Sequence, residues 1–172
     1  MERLFASWRL NKPAGTAADG KPHANLEPAE GKTLFQTLLE SDLPESETYI
    51  LGKYEKTFAI LNVFPYTVGH VLVLPNRPVA TIGELDDSEY LELFETVRQT
   101  RAAVNSAFAP DGLNIGINEG TAGGGSIPDH LHVHVVPRWN SDTNFMTALA
   151  ETRLLPIPLS EAWERISSHW PR

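Results

Sequence analysis

Residues 129–138 read Asp129-His130-Leu131-His132-Val133-His134-Val135-Val136-Pro137-Arg138, so three of the six histidines of the chain stand at alternate positions within five residues. Successive side chains of a β-strand point to opposite faces of the sheet. The pattern therefore predicts a strand with the imidazoles on one face and Leu131, Val133 and Val135 on the other face, against a core. The rise of a strand places neighbouring histidine Cα atoms roughly 6 to 7 Å apart. Such a row could act on one small substrate or hold one ion.

The spacing of the histidines leaves three interpretations open. Imidazoles can serve as nucleophiles or as acids and bases. They can also present ligands to zinc, nickel or copper, as in a three-histidine metal site. A polar strand face can, finally, have no chemical role. Asp129 is the adjacent carboxylate, and it points to the other face of the predicted strand, so it adds little to a metal site. The row favours catalysis and leaves the metal site as the alternative.

The composition restricts the class of protein to which this row of histidines belongs. The chain has 172 residues, a net charge of -8 and no cysteine. The length fits one domain with its own core, and without cysteine there is neither a disulfide nor a thiolate metal site. The acidic balance argues against binding to nucleic acid or to an anionic membrane. No apolar run approaches the roughly 20 residues that span a bilayer, and the first residues do not resemble a signal peptide. We expect a cytoplasmic protein.

Patterning divides the chain into an N-terminal arm and loop, residues 1–31, and a domain with a C-terminal extension, residues 32–172. The arm is rich in proline and glycine, which limits the surface it can bury. Alternating apolar runs predict five strands. Their predicted ranges are 48–53, 57–63, 70–74, 113–118 and 130–136. Because these strands follow one another with a helix between them, the sequence predicts an α+β fold with a mainly antiparallel sheet.

Three helices are predicted around this sheet. A short one follows Lys32, and another lies near residues 161–169, with Ser160 as its predicted N-cap. The one long helix starts at Asp86, where Glu89 completes a capping box. Its apolar stripe at helical spacing is predicted to face the core. That stripe consists of Tyr90, Phe94, Val97, Val104 and Phe108.

A glycine-rich loop, residues 120–128, comes directly before the histidines. Its consecutive glycines can bring backbone N–H groups together around an anion, and Ser126 adds a hydroxyl. Glycine-rich loops are usually flexible connections, but an anion-binding loop beside three imidazoles suits phosphoryl or nucleotidyl transfer. Asn62, His70 and Asn118 are further polar residues within apolar strands. Each could touch a ligand, although a turn-forming asparagine or a buried, hydrogen-bonded histidine is the more ordinary reading.

The run from His130 to Val136 resembles the His-φ-His-φ-His-φ-φ signature of the histidine triad superfamily, where φ is apolar. Further resemblance lies in 61–75, 116–120, the glycine-rich loop, and 137–139 with 144–146. These motifs are similar to those of the diadenosine tetraphosphate phosphorylase and dinucleoside polyphosphate hydrolase branches. The resemblance covers roughly residues 32–150 and implies the fold of that superfamily.

The resemblance implies a role for each matched residue. His132 would attack the α-phosphorus of a nucleotide, with its second ring nitrogen held by a backbone carbonyl, while His130 and His134 would bind phosphate oxygens or protonate the leaving group. His70 and Trp139 would support the triad from a second shell. The implied binding residues for phosphate, ribose and base are Asn62, Phe64, Asn118, Gly124, Gly125, Ser126, Ile127 and His134.

Two departures from the family pattern refine this expectation. The segment that carries a zinc-binding Cys-x-x-Cys pair in many members is Thr33-Leu34-Phe35-Gln36 here, so we expect no such zinc. Ser126 stands where the fragile-histidine-triad hydrolases carry glutamine, and with Trp139 it resembles the phosphorylase branch. The resemblance implies a nucleotide substrate, no required cofactor beyond a divalent cation that can accompany the polyphosphate, and a homodimer or higher homo-oligomer.

Overall fold

A computed structural model describes residues 26–125, 127–143 and 155–171. Most of the predicted N-terminal arm lies outside these ranges. The same holds for two groups of residues singled out in the sequence, Ser126 and the segment 144–146. None of the helices in the described ranges combines the length and the apolar character needed to cross a membrane.

Five antiparallel strands form one sheet, which confirms the predicted α+β class. The order across the sheet is β1-β2-β3-β5-β4, so β1 and β4 are its edges. The strands are β1 (Ile50–Lys53), β2 (Thr57–Leu61), β3 (Val71–Pro75), β4 (Gly112–Ile117) and β5 (Val133–Arg138). The first three form an antiparallel meander. After β4 the chain loops back through residues 118–132 and inserts β5 between β3 and β4.

In the described part of the chain, four α-helices and one short 3-10 helix accompany the sheet. They are α1 (Leu34–Leu39), α2 (Glu45–Thr48), the 3-10 helix (Ile82–Glu84), α3 (Asp87–Phe108) and α4 (Leu159–Ser168). The capping box of Asp86 and Glu89 is present at the start of α3. Helix α2 was not predicted, and it takes Thr48 out of the first strand. The N-cap of α4 is Pro158, so the predicted cap Ser160 is wrong and lies inside the helix.

Each face of the sheet has its own apolar cluster. On one face, α3 and α4 pack against alternate strand residues that include Ala59, Val73 and Val135. On the other face, Phe35 and Leu38 of α1 pack against the intervening residues, among them Phe58 and Leu72. Leu131 and Val133 also belong to the α3 cluster. The predicted core face of the histidine segment is therefore confirmed, and the histidines lie on the α1 face.

The predicted core stripe of α3 is partly wrong. Val97 and Val104 are buried, but Tyr90 is 45% exposed and Phe94 is 38% exposed. The buried face instead includes polar residues that have partners within the protein. Glu89 receives two hydrogen bonds from Arg77 at 2.9 and 2.7 Å, and Thr96 lies 2.9 Å from the hydroxyl of Thr57. The remaining buried residues of this face are Leu93, Thr100 and Ala103.

The prediction that all three histidines lie on one strand also needs correction. Strand β5 begins at Val133, so only His134 belongs to it. The N–H of Leu131 donates to the carbonyl of Val79 at 2.7 Å rather than to a neighbouring strand. The loop between β3 and α3 therefore holds the segment 130–132. Side chains of this segment still alternate between the two faces, although its backbone is not paired with a neighbouring strand.

Candidate functional site

The site lies on the α1 face, where β5 runs between β3 and β4. His134 is paired with Leu72 of β3 on one side and with Gly116 of β4 on the other. A Cβ atom added to Gly116 would meet nothing within 4 Å. The β4 side of His134 therefore borders open space, whereas its β3 side borders the apolar cluster under α1.

A hydrogen bond to the backbone of His130 fixes the tautomer of His132. Its Nδ1 lies 2.8 Å from the backbone carbonyl oxygen of His130. A carbonyl oxygen can only accept, so the proton of the neutral ring is on Nδ1 and Nε2 carries the lone pair. The side chain is 5% exposed and its ring lies 6.0 Å from that of Phe35. This is the arrangement that the resemblance implied for a nucleophilic imidazole.

The ring of His130 is engaged within the protein, and the phosphate-binding role that the resemblance implied for it stays a prediction. Its ring is fully buried, with Nε2 2.8 Å from the carbonyl oxygen of Pro75 and Nδ1 2.8 Å from the hydroxyl oxygen of Thr33. Both ring nitrogens thus have partners within the protein. Phe35 and Phe58 pack edge-on against the ring. His130 therefore supports the site from behind His132.

We expect the buried His130 ring to make stability depend on pH. Burial lowers the pKa of His130 below its ordinary value of 6.5, and nearby His132 acts in the same direction, while the bond to Pro75 opposes it. Below pH 6.5 the unfolded chain binds this proton before the folded chain does, so the free energy of unfolding falls as the pH falls towards the folded pKa. Urea unfolding at several pH values should show this slope. A His130→Asn variant should lose part of it, and equal slopes would contradict the prediction.

His70 and His134 form a hydrogen-bond chain with a defined direction. The backbone N–H of Tyr66 lies 3.1 Å from His70 Nδ1, so this nitrogen is an acceptor. The proton of His70 is then on Nε2, which lies 3.0 Å from Nδ1 of His134 and donates to it. His134 is consequently the tautomer with its proton on Nε2. The predicted supporting contact of His70 with the triad is thus present, and its physical effect is to fix this tautomer.

Two hydrogen-bond donors converge at the open side of the site. The amide nitrogen of Asn118 lies 3.4 Å from His134 Nε2, and both groups carry protons in the tautomer just derived. An oxygen acceptor placed near both N–H groups would accept from both. His134 and Asn118 are therefore arranged to share an oxygen of a ligand, such as a phosphate oxygen.

The turn between β2 and β3 supplies residues that the sequence reasoning missed or placed only generally. Tyr66 stacks on His134, with ring centroids 5.7 Å apart and an angle of 18° between the planes. Asn62 accepts from the N–H of Phe64 at 3.0 Å, and its amide nitrogen lies 3.2 Å from His70 Nδ1. Asn62 thus shapes this turn beside the triad, and its implied contact with ribose stays a prediction. The Pro-Tyr pair beside the Gly-His turn was the available sequence signal for Tyr66.

The glycine-rich loop uses two of its predicted phosphate donors internally. The N–H of Gly124 donates to Thr121 and that of Gly125 donates to Gly120, both at 3.1 Å. These two N–H groups bond within the loop, and their predicted binding of phosphate stays a prediction. Gly125 instead allows close approach, since a Cβ there would lie 3.0 Å from the carbonyl oxygen of Gly120. Ile127 packs on the α1 cluster and fixes the end of the loop.

The roles of two predicted site residues, Ser126 and Trp139, stay predictions. Ser126 lies outside the described residues. Trp139 follows the end of β5, five residues beyond His134, which corresponds to roughly 16 Å along an extended chain. The backbone N–H of Trp139 donates to the carboxylate of Asp142 at 3.1 Å. The supporting role of Trp139 stays a prediction.

The hydrogen bonds also bear on the three-histidine metal site. A shared ion needs one unprotonated nitrogen from each ring, all directed at the same point. Both nitrogens of His130 bond to protein groups on either side of its ring, so this ring does not present a ligand atom alongside His132 and His134. In the described ranges no group of three or more histidine, aspartate or glutamate side chains is arranged to hold a metal ion.

Comparison with known proteins places this geometry in a family context. A family model of the HIT domain matches residues 44–141. A protein from Mycobacterium tuberculosis named AP-4-A phosphorylase is 32% identical over 172 residues, which is all of this chain and 86% of that protein. A Schizosaccharomyces pombe protein named bis(5'-nucleosyl)-tetraphosphatase [asymmetrical] is 39% identical over 84 residues, 49% of this chain and 46% of that protein.

A solved structure extends the likeness to three dimensions. It is described as a zinc-bound histidine triad family protein from Mycobacterium smegmatis. It has 26% identity and a TM-score of 0.64, and the match covers 79% of this chain and 91% of that one. This similarity confirms the fold that the resemblance implied.

Proposed function

Because the chain belongs to the HIT domain family, we propose that it is a nucleotidyl transferase acting on a dinucleoside polyphosphate. It cleaves a substrate such as diadenosine tetraphosphate at the α-phosphorus, through a covalent nucleotidyl-His132 intermediate. The observation that supports this most directly is the 2.8 Å bond between His132 Nδ1 and the His130 carbonyl. That bond leaves the lone pair of the imidazole on Nε2, the nitrogen that can form a bond to phosphorus.

The reaction divides into two displacements. In the first, His132 Nε2 bonds to the α-phosphorus while the bond from phosphorus to the bridging oxygen breaks, and ATP leaves from diadenosine tetraphosphate. His134 and Asn118 hold a phosphate oxygen with their N–H groups, and His134 can also protonate the leaving oxygen. In the second, an acceptor oxygen attacks the phosphorus, and the P–N bond to His132 breaks.

We favour inorganic phosphate over water as that acceptor. The support is the full-length similarity to a protein named AP-4-A phosphorylase and the resemblance of Ser126 and Trp139 to the phosphorylase branch. Incubation with diadenosine tetraphosphate, with and without phosphate, followed by separation of the products, tests the choice. ADP and ATP formed only with phosphate would identify a phosphorylase. AMP and ATP formed without phosphate would identify a hydrolase, and no product under either condition would overturn the proposed function.

Two further properties follow as proposals. A divalent cation can accompany the polyphosphate by neutralising its charge, and comparing rates with magnesium and with chelator would test this. We also propose a cytoplasmic location, where nucleotides and inorganic phosphate are both present. Fractionation of cells that express the protein, with an antibody against it, is the matching test.

We propose that the protein is a homo-oligomer in which a second copy covers part of α3. Leu91 is 69% exposed, and beside it the rings of Tyr90 and Phe94 lie 4.9 Å apart on the helix surface. Exposed apolar groups of this kind typically mark an interface. The edge strand β4 adds Ile115, which is 47% exposed. At the opposite edge, α4 packs over β1 through Trp163, whose indole N–H donates to the Ile50 carbonyl at 2.9 Å.

Replacing Leu91 with glutamate should shift the protein towards monomer. The side chain is already exposed in the single chain, so the substitution costs the fold little, whereas burying a carboxylate in an interface is costly. Sedimentation equilibrium over a range of concentrations measures the effect. Glu164→Lys on the exposed side of α4 is the control and should leave the mass unchanged. A Leu91→Glu protein with the same mass as wild type would contradict this interface.

A further inference from the structure

Thr33 joins the start of helix α1 to the histidine segment, although 97 residues separate it from His130. Its hydroxyl oxygen lies 2.8 Å from His130 Nδ1. The same oxygen is the N-cap of α1 and accepts from the N–H of Gln36 at 3.2 Å. One small side chain thus caps the start of a helix and contacts the triad at the same time.

The direction of the bond between Thr33 and His130 is fixed by the other nitrogen of the ring. His130 Nε2 lies 2.8 Å from the carbonyl oxygen of Pro75, which can only accept, so Nε2 carries the proton of the neutral imidazole. Nδ1 is then an acceptor, and the hydroxyl of Thr33 must donate to it. The hydroxyl thus donates one hydrogen bond, to His130, and accepts one, from the N–H of Gln36.

This bond has a consequence for the neighbouring histidine. Hydrogen bonds to Thr33 and Pro75 hold the ring of His130 from opposite sides, and the ring is fully buried. With the ring fixed, the His130 peptide is fixed as well, and its carbonyl oxygen is the acceptor for His132 Nδ1. A shift of His130 would therefore loosen the group that sets the tautomer and direction of His132.

We propose that Thr33 is a positioning residue for the nucleophile: its hydroxyl holds His130 in place, and the His130 carbonyl in turn holds His132. The inference rests on the proposed nucleotidyl transfer for its kinetic effect. Its structural part, the tautomer of His130, can be measured without any substrate.

The test compares three variants. Thr33→Val keeps the shape and removes the hydroxyl, Thr33→Ser keeps the hydroxyl, and Gln36→Ala removes the bond from the Thr33 N–H to the Gln36 side chain at 3.0 Å without touching His130. With diadenosine tetraphosphate we expect Thr33→Val to lower kcat by about tenfold, with KM changed by less than about twofold. Thr33→Ser and Gln36→Ala should keep kcat near wild type, although Gln36→Ala weakens the helix cap.

Nitrogen-15 spectra of the histidine rings provide the second readout. The wild type, Thr33→Ser and Gln36→Ala should show His130 protonated on Nε2 with Nδ1 accepting a hydrogen bond, and Thr33→Val should lose that acceptor signal. Should Thr33→Val not fold, Thr33→Gly replaces it, since glycine is also a good N-cap. An unchanged His130 signal in the variant without the hydroxyl would overturn the inference. So would an equal loss of kcat in Gln36→Ala. A wild type without turnover but with the expected change in the spectra would overturn the proposed function alone.

Discussion

Replacing His132 with glycine should reduce turnover of diadenosine tetraphosphate by at least about 10⁴-fold while nucleotide binding stays measurable. The covalent route needs the lone pair of His132 Nε2, and neither of the other two triad histidines can take its place in the same geometry. His134 Nε2 carries a proton in the tautomer set by His70, and the ring of His130 is turned away into the core. His134 and Asn118, the groups proposed to hold the phosphate, stay in place in this variant.

Three measurements make this prediction decisive. Steady-state rates give the loss of turnover, and equilibrium binding of a non-hydrolysable analogue gives the affinity that remains. Mass spectrometry of protein quenched in base should detect the nucleotidyl group on wild type and not on His132→Gly, because the P–N bond to imidazole is labile in acid. His132→Asn is a companion that keeps a polar side chain without a nucleophile. His169→Asn, at the exposed end of α4, is the matched histidine control and should be fully active.

Retention of full activity in His132→Gly would exclude the covalent mechanism. A second pattern would be informative in another way: loss of both turnover and binding would mean that His132 holds the substrate rather than attacking it. In that case a water molecule would have to attack directly, and the nucleotidyl-protein species would be absent from wild type as well.

Much of the fold could be predicted because its signals are local. The capping box of Asp86 and Glu89 and the alternation through Leu131, Val133 and Val135 depend on residues within a few positions of each other. The core face of α3 could not be predicted in the same way. Its buried face includes Thr96, Thr100 and Glu89, which are tolerated there because they bond to distant residues or to the helix backbone. An apolar pattern does not record such partners, so Tyr90 and Phe94 were wrongly placed in the core.

The same difference between local signals and contacts with distant residues applies to the site. The resemblance implied that a backbone carbonyl holds the second ring nitrogen of His132, and the structure has such a bond to the His130 carbonyl. The order of the histidines does not predict the surroundings of His130, whose ring partners Thr33 and Pro75 lie 97 and 55 residues away. Nor does the composition of the glycine-rich loop reveal that Gly124 and Gly125 donate back into their own turn. The ring of His130 is thus held by residues distant in the chain, whereas the two glycine N–H groups are engaged by local turn bonds that composition alone does not show.

His70 should be the most sensitive residue outside the groups that touch substrate. Its ring is fully buried, accepts from the N–H of Tyr66 and donates to His134. His70→Phe keeps a similar shape but leaves the Tyr66 N–H and His134 Nδ1 without this partner. Each unsatisfied buried group costs about 1 to 3 kcal/mol, so we expect the free energy of unfolding to fall by about 2 to 5 kcal/mol. Urea unfolding measures this directly.

The kinetic effect of the same substitution follows from the tautomer. Without the proton donated by His70, His134 can place its own proton on Nδ1, and its Nε2 then no longer donates towards the phosphate oxygen that it shares with Asn118. We expect kcat to fall by about 10² to 10³-fold, the range for loss of one donor to a developing negative charge. His70→Gln can still present an N–H to His134 and should recover part of the rate. Equal rates in His70→Gln and His70→Phe would mean that His70 supports the site by its shape alone. In that case the direction of this hydrogen-bond chain would have no part in catalysis.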